Sequence, residues 1–260
     1  MNKRSVLFTL MILSSSLTMA QEDYARPQPE QYAPVSGSTD DKRFNIGLSL
    51  GSAIPMNKFA STSVKNTFWD FTSADSTHLE GFARNGFNFT LTASYLFPGN
   101  FGIILMFGSC QNPFDINTFS AKVGLPSTSP SASYNEDEYL VGGFGSFPVD
   151  KFRFTVNALV GLVSMGYPEI SCAAHDTTYT YDLQGGSGFG YDLGGSAEYD
   201  ISSRIAVSVN INYLGSNVQY NGFSITGSTP TSIGYFSSTS DVLSLPTGIL
   251  KITIGAVLRF

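Results

Sequence analysis

Four sets of side chains in this sequence are of types that could do chemistry. His78 and His175 are its two imidazoles; Ser76 stands two residues before His78, and His175 directly precedes Asp176 with Ser171 close by. A histidine, a hydroxyl and a carboxylate are what nucleophilic hydrolysis needs: a base, an attacking group and a group to orient the ring. Adjacency along the chain does not set that geometry, and solvated loop histidines are the plainer reading. Cys110 and Cys172 are the only cysteines, so they form one disulfide or remain two free thiols. Glu136, Asp137 and Glu138 could recruit a divalent cation through carboxylate oxygens, with a solvated acidic rim as the simpler alternative. The fourth set is Arg153, Asp192, Glu198, Arg204, Asn210, Lys251 and Arg259. Its members are scattered, and what they can do depends on whether the fold gathers them.

Composition narrows the field. A net charge of −6, with Lys and Arg thinly spread, argues against a nucleic-acid partner, because phosphate binding is driven by clustered cations. No metal-ligand spacing or cofactor motif is evident, so no cofactor, catalytic residue or metal site is expected. Residues 1–20 read as a signal peptide: Lys3 and Arg4 precede an apolar stretch from Val6 to Leu13, and Thr18, Met19 and Ala20 offer a small-residue cleavage site. Export would place both cysteines in an oxidising compartment. Residues 21–42, rich in Pro, Gln, Glu and Ser without apolar periodicity, read as a flexible leader.

From Arg43 onward one pattern recurs: about ten residues of period-two hydrophobicity, then a break. Phe87, Phe89, Leu91, Ala93, Tyr95 and Phe97 against Asn88, Thr90, Thr92 and Ser94 are the clearest case. Similar stretches begin near Phe44, Phe101, Tyr139, Phe152, Phe189, Ile205 and Leu250, giving eight strands. The phase of the stretch from Tyr139 to Phe147 is left open by its glycines. The connections alternate long and short: 54–85, 98–100, 111–138, 148–151, 166–186, 200–203 and 215–245. An antiparallel up-and-down β-barrel with short turns at one end and long loops at the other satisfies this order.

Alternation alone does not say which face points out, since a soluble lipocalin-like carrier would turn the same apolar set inward around a ligand. Two features favour lipid outside. Aromatic residues bracket the apolar faces at both ends: Phe97, Phe101, Phe147, Phe152, Tyr199 and Phe260 near the short turns, and Phe87, Phe107, Tyr139, Phe189 and Tyr213 near the long loops. The charged set shares the opposite phase, and a lipid-facing Arg or Lys near the midplane would cost roughly 2–4 kcal/mol. The seven residues of that set are therefore expected to meet in the lumen as a network of ion pairs and hydrogen bonds.

With these features the stretch from Arg43 to Phe260 resembles the small eight-stranded outer-membrane barrels of the OmpA and OmpX type. The closing series Ile252, Ile254, Ala256, Leu258, Phe260 is similar to the C-terminal signal read by the barrel-assembly machinery, with Phe260, Leu258 and Ile254 as its anchors. The resemblance implies a monomer in the bacterial outer membrane with extracellular loops. Its partners would be membrane lipid and lipopolysaccharide, together with the assembly machinery during insertion. It also implies a non-enzymatic structural or loop-mediated recognition or adhesion role. Some barrels of this kind modify lipid A with a rim histidine, so an enzyme using His78 or His175 is the first alternative and the soluble carrier the second.

Overall fold

The computed structural model describes residues 43–260 apart from 66, 68, 70–77, 130, 131, 175, 184, 230 and 231. The signal and leader segments read from the sequence lie outside the described residues. Ten strands form in chain order: β1 (Phe44–Pro55), β2 (Gly86–Leu96), β3 (Phe101–Pro113), β4 (Ser133–Val149), β5 (Phe152–Gly166), β6 (Ile170–Ala174), β7 (Thr177–Leu183), β8 (Gly186–Asp200), β9 (Ile205–Ser228) and β10 (Ile233–Arg259). Eight of them close a ring in the order β1, β2, β3, β4, β5, β8, β9, β10, every neighbouring pair antiparallel. The seam runs from Asn45 opposite Arg259 to Pro55 opposite Ile249. Closure leaves the ring no unpaired edge, the only way a sheet can satisfy its backbone in a medium without water.

The short turns sit where the sequence places them. Gly99 and Asn100 take positive φ angles of 99° and 64° between β2 and β3, and Asp150 takes 53° between β4 and β5. Gly and Asn occupy this region at least cost.

The opposite end departs from the expectation of irregular loops. The stretch 215–245 is mostly strand: β9 and β10 continue as a paired hairpin out to Ser228 and Ile233. Within 166–186, β6 and β7 form a second hairpin, and β7 pairs with the far end of β9. Among the described residues, two short helices, α1 (Asn57–Ala60) and α2 (Ile116–Val123), lie within the remaining long connections. Asp115 caps α2 by accepting from Thr118 N–H at 3.2 Å, and Gly124 ends it in the left-handed region, the usual start and stop chemistry of a helix.

The strands keep their pleat throughout but exchange polarity partway along. On β9, Ile205, Val207, Val209 and Ile211 point out and Ser208, Asn210 and Asn212 point in. Beyond Leu214 the apolar Val218 and Tyr220 are buried inside, while Asn217, Gln219 and Asn221 are exposed. β10 does the same, with Leu243, Leu245 and Ile249 inside at the far end and Lys251, Thr253 and Arg259 inside nearer its C-terminus. The inside of the barrel is therefore polar at the short-turn end and apolar at the loop end, and the outside is the reverse.

The apolar interior is completed by the loops, which pack as a cap. Phe59, Phe82, Phe114, Phe119, Tyr134 and Tyr167 are buried together. Ring centroids lie 4.9 Å apart for Phe59 and Tyr134, 5.4 Å for Phe82 and Phe119, and 5.3 Å for Tyr134 and Tyr167. Edge-on and tilted pairs at these spacings add to the gain from burial. Gly81 lets its segment lie on Phe59, whose carbonyl oxygen would stand 2.2 Å from an added Cβ, and its carbonyl accepts from Tyr134 Oη at 2.7 Å. Asn112 on β3 donates to the carbonyls of Ala53 and Arg84 at 3.0 and 2.8 Å, tying cap to barrel wall.

Truncating a ring at the centre of this cluster removes buried area and leaves a cavity. Phe119→Ala is expected to destabilise the cap by about 3–5 kcal/mol. Amide exchange in detergent should show faster exchange in 78–84 and 114–123, with the exchange of β2, β5 and β8 unchanged.

Candidate functional site

Below the cap the lumen holds a cavity of about 110 Å³ lined by Asn45, Thr92, Arg153, Thr155, Asn157 and Asn210, among others. Two charged layers bound it. At the upper layer Lys251 Nζ lies 2.7 Å from Glu138 Oε2 and 2.7 Å from Asp192 Oδ2. Asn212 Nδ2 donates to the other Asp192 oxygen at 2.5 Å. All three ionic groups are essentially inaccessible to solvent. At the lower layer Arg259 bonds Glu198 at 2.6 Å and pairs also with Asp200.

These layers follow from the strand phases. β4, β8, β9 and β10 each turn alternate residues inward, and their registers bring Glu138, Asp192, Asn212 and Lys251 to one level across the lumen. Such a layer spans residues 113 apart in sequence and acts as a cross-brace. Its energetics are those of a buried ion pair. Two charges taken out of water cost much of what their attraction returns, yet removing one partner strands the other.

The seven residues expected in a lumen network do not all meet. Asp192, Lys251, Glu198 and Arg259 occupy the two layers. Asn210 donates to Thr253 Oγ1 at 3.1 Å between them. Arg153 is half-buried on the cavity wall, opposite Glu198 in register. Arg204 is a correction: it is exposed in the turn before β9, where the alternation used to place it inward has not yet begun. Its backbone carbonyl, not its side chain, takes part, accepting from Arg259 N–H at 2.9 Å.

Glu138 is a member of the upper layer that the sequence reading leaves out, and the reading of Glu136, Asp137 and Glu138 as a solvated acidic rim is corrected with it, since Glu136 and Glu138 are buried. Tyr139, Val141 and Phe147 of β4 point outward and are exposed, so Glu136 and Glu138 point inward and are buried. Only Asp137 of the three faces away from the interior. The aromatic residues on either side of the glycine run could have fixed this phase.

Of the two readings the sequence leaves open, a disulfide or two free thiols, the structure has the second: Cys110 and Cys172 are both free and buried. Cys110 sits in the barrel wall opposite Asn88 and Glu136, its sulfur 3.1 Å from Asn88 Nδ2 and 3.4 Å from Glu138 Oε1. Cys172 sits in β6 opposite Tyr179, where burial pushes its thiol up. A shared compartment does not make two cysteines neighbours.

His78 is exposed, its backbone bridging to Ser244, and among the described residues nothing bonds its imidazole. His175 and Ser76 lie outside the described residues; Ser171 Oγ is 2.9 Å from Thr180 Oγ1 and Asp176 is exposed. Ile254, Leu258 and Phe260 point outward and are exposed beside the seam. There Phe260 N–H donates to the Phe44 carbonyl at 2.9 Å, and the two rings lie 6.0 Å apart.

The exterior at this level is a continuous apolar belt. Leu48, Leu105, Val141, Val156, Leu193 and Ile254 are each between 46% and 69% exposed, far more apolar surface than a water-soluble monomer displays. Aromatic rings border the belt on both sides, as in the pairs Phe152 with Tyr199 and Phe107 with Tyr139. The soluble carrier is thereby corrected, because its apolar faces would have to turn inward around the cavity, and here they form the outside of the wall while Asn45, Thr92, Arg153, Thr155, Asn157 and Asn210 turn inward. A closed antiparallel ring with this exterior and interior is a transmembrane β-barrel of the outer-membrane type.

No protein-family model matches the chain, and no curated protein matches it. Among solved structures it is similar to three outer-membrane proteins. Neisserial surface protein A is 10% identical, with 84% of this chain and 97% of that one covered at a TM-score of 0.43. A major outer membrane protein from Thermus thermophilus is 10% identical over 84% and 99%, at 0.48. OprG from Pseudomonas aeruginosa is 13% identical over 84% and 97%, at 0.45.

Two measurements test the site. Lys251→Met should lower the unfolding free energy in urea by about 3–5 kcal/mol, because two carboxylates stay buried without their cation, whereas Arg204→Ala should change it by less than about 0.5 kcal/mol. Both thiols should resist maleimide in the folded protein and react fully after denaturation without reductant.

Proposed function

We propose that the protein is a non-enzymatic integral barrel of the bacterial outer membrane that uses its packed cap for recognition or adhesion at the cell surface, or to stabilise the envelope. The observation that carries this reading is the double closure of the lumen. A diffusion pore needs a continuous wet path, and here the Lys251 layer and the aromatic cap both lie across it. The extension of β9 and β10 beyond the apolar belt favours presentation, since it offers a rigid surface where mobile loops would incur an ordering cost on binding.

In this reading the cap faces outward from the cell, and membrane lipid and lipopolysaccharide surround the belt of a monomer. Phe260, Leu258 and Ile254 present the assembly signal to the barrel-assembly machinery. Purified protein reconstituted in planar bilayers should give no steady conductance, and its gel migration should shift on boiling in detergent. Stable open channels would overturn the plugged reading. Lipid A recovered from cells carrying His78→Ala with His175→Ala should match that of cells with the unaltered protein; a lost modification would instead establish the enzyme.

A further inference from the structure

The upper charged layer contains one carboxylate more than its pairing explains. Lys251 is committed to Glu138 and Asp192, so those three groups already leave one negative charge. Glu136, two residues further along β4, is 1% exposed, and neither of its carboxyl oxygens has a hydrogen-bond partner among the described residues. It lies three residues beyond Tyr139, on the cap side of the aromatic border.

Among the described residues, the groups that face it offer no second cation. From β3 comes Cys110, opposite it in register, whose sulfur is already directed to Glu138. β4 itself contributes Glu138 and Asp137, β9 contributes the buried Tyr220 hydroxyl, and β10 contributes Lys251. Asp192 of β8 acts through Lys251, and β5 presents the apolar Met165 opposite. A carboxylate at this point would add a second uncompensated charge in a site sealed from water. A carboxylic acid would leave only a neutral polar group, a far smaller penalty.

We propose that Glu136 is a resident proton site, a neutral carboxylic acid buried beneath the cap beside the charged layer, whose ionisation loosens the cap. The sign follows from linkage. The folded state keeps a proton that the opened state gives up once the pH exceeds the ordinary glutamate value, so cap stability falls as pH rises from about 4.3 toward the site's own value. A carboxylate held ionised by a cationic partner in the folded state works in the opposite sense.

The test compares unaltered protein with Glu136→Gln, which copies the neutral acid, in detergent across the range from about pH 4 to about pH 9. Amide exchange of the cap is measured for both proteins at each pH, so that the intrinsic rate cancels in the ratio. The ratio of cap-opening constants, unaltered over Glu136→Gln, should be near one at about pH 4 and grow up to about tenfold per pH unit above it. A ratio below one that does not change with pH would overturn the proposal, since Glu136 would then be ionised and stabilising. Infrared spectra of the unaltered protein labelled with carbon-13 glutamate need no variant to fold. A protonated-carboxyl band at about pH 7 is expected, and its absence would equally overturn the site.

Discussion

In a hydrocarbon layer an unpaired backbone N–H or C=O has no water to turn to, and each such group costs several kcal/mol. That constraint decides the architecture. The strands of the belt are acceptable in lipid only because β1 meets β10 along an unbroken register and the ring has no edge. Once the ring is closed, the period of two along each strand sorts residues into outside and inside with no further freedom. The positions of Lys251, Glu138 and Asp192 are consequences of that sorting.

The ring stands in two media, and its strands record the boundary between them. Where lipid is outside, the outward residues are apolar and the lumen can hold polar groups that brace one another. Where water is outside, as around Asn217 and Gln219, the outward residues are polar and the interior fills with Val218, Tyr220 and the rings of the cap. The barrel thus joins a membrane half with a polar core to a water-exposed half with an ordinary hydrophobic core. The Lys251 layer lies near the junction, and Glu136 sits just on the cap side of it, where neither core supplies a partner.

The membrane half was legible in the sequence because its two faces differ in chemistry at every step. Phe87 to Phe97 and Ile205 to Tyr213 alternate cleanly for that reason. The cap half was not, and the physical reason is the exchange of polarity. Past Leu214 the alternation persists with inside and outside swapped, which reads along a sequence as a pattern that has stopped. β4 hid its phase because Gly142, Gly143 and Gly145 carry no side chain to mark a face, and Glu136 and Glu138 were misplaced with it. Arg204 was assigned by counting alternation into a turn. The pairing of Lys251 with residues 113 positions away depends on ring register, which no local pattern contains.

The sidedness of the barrel wall is the claim on which the rest stands, and spin labelling reads it directly. With Cys110 and Cys172 replaced by alanine, single nitroxides would be placed at Leu105, Val141 and Ile254 on the outer face and at Asn210 in the lumen, in protein reconstituted in lipid bilayers. The three outer labels should be relaxed strongly by oxygen, which concentrates in lipid, and weakly by a water-soluble nickel chelate; the Asn210 label should be screened from oxygen. Outer labels exposed to nickel, with the Asn210 label in an apolar oxygen-rich environment, would contradict the account and turn the barrel inside out.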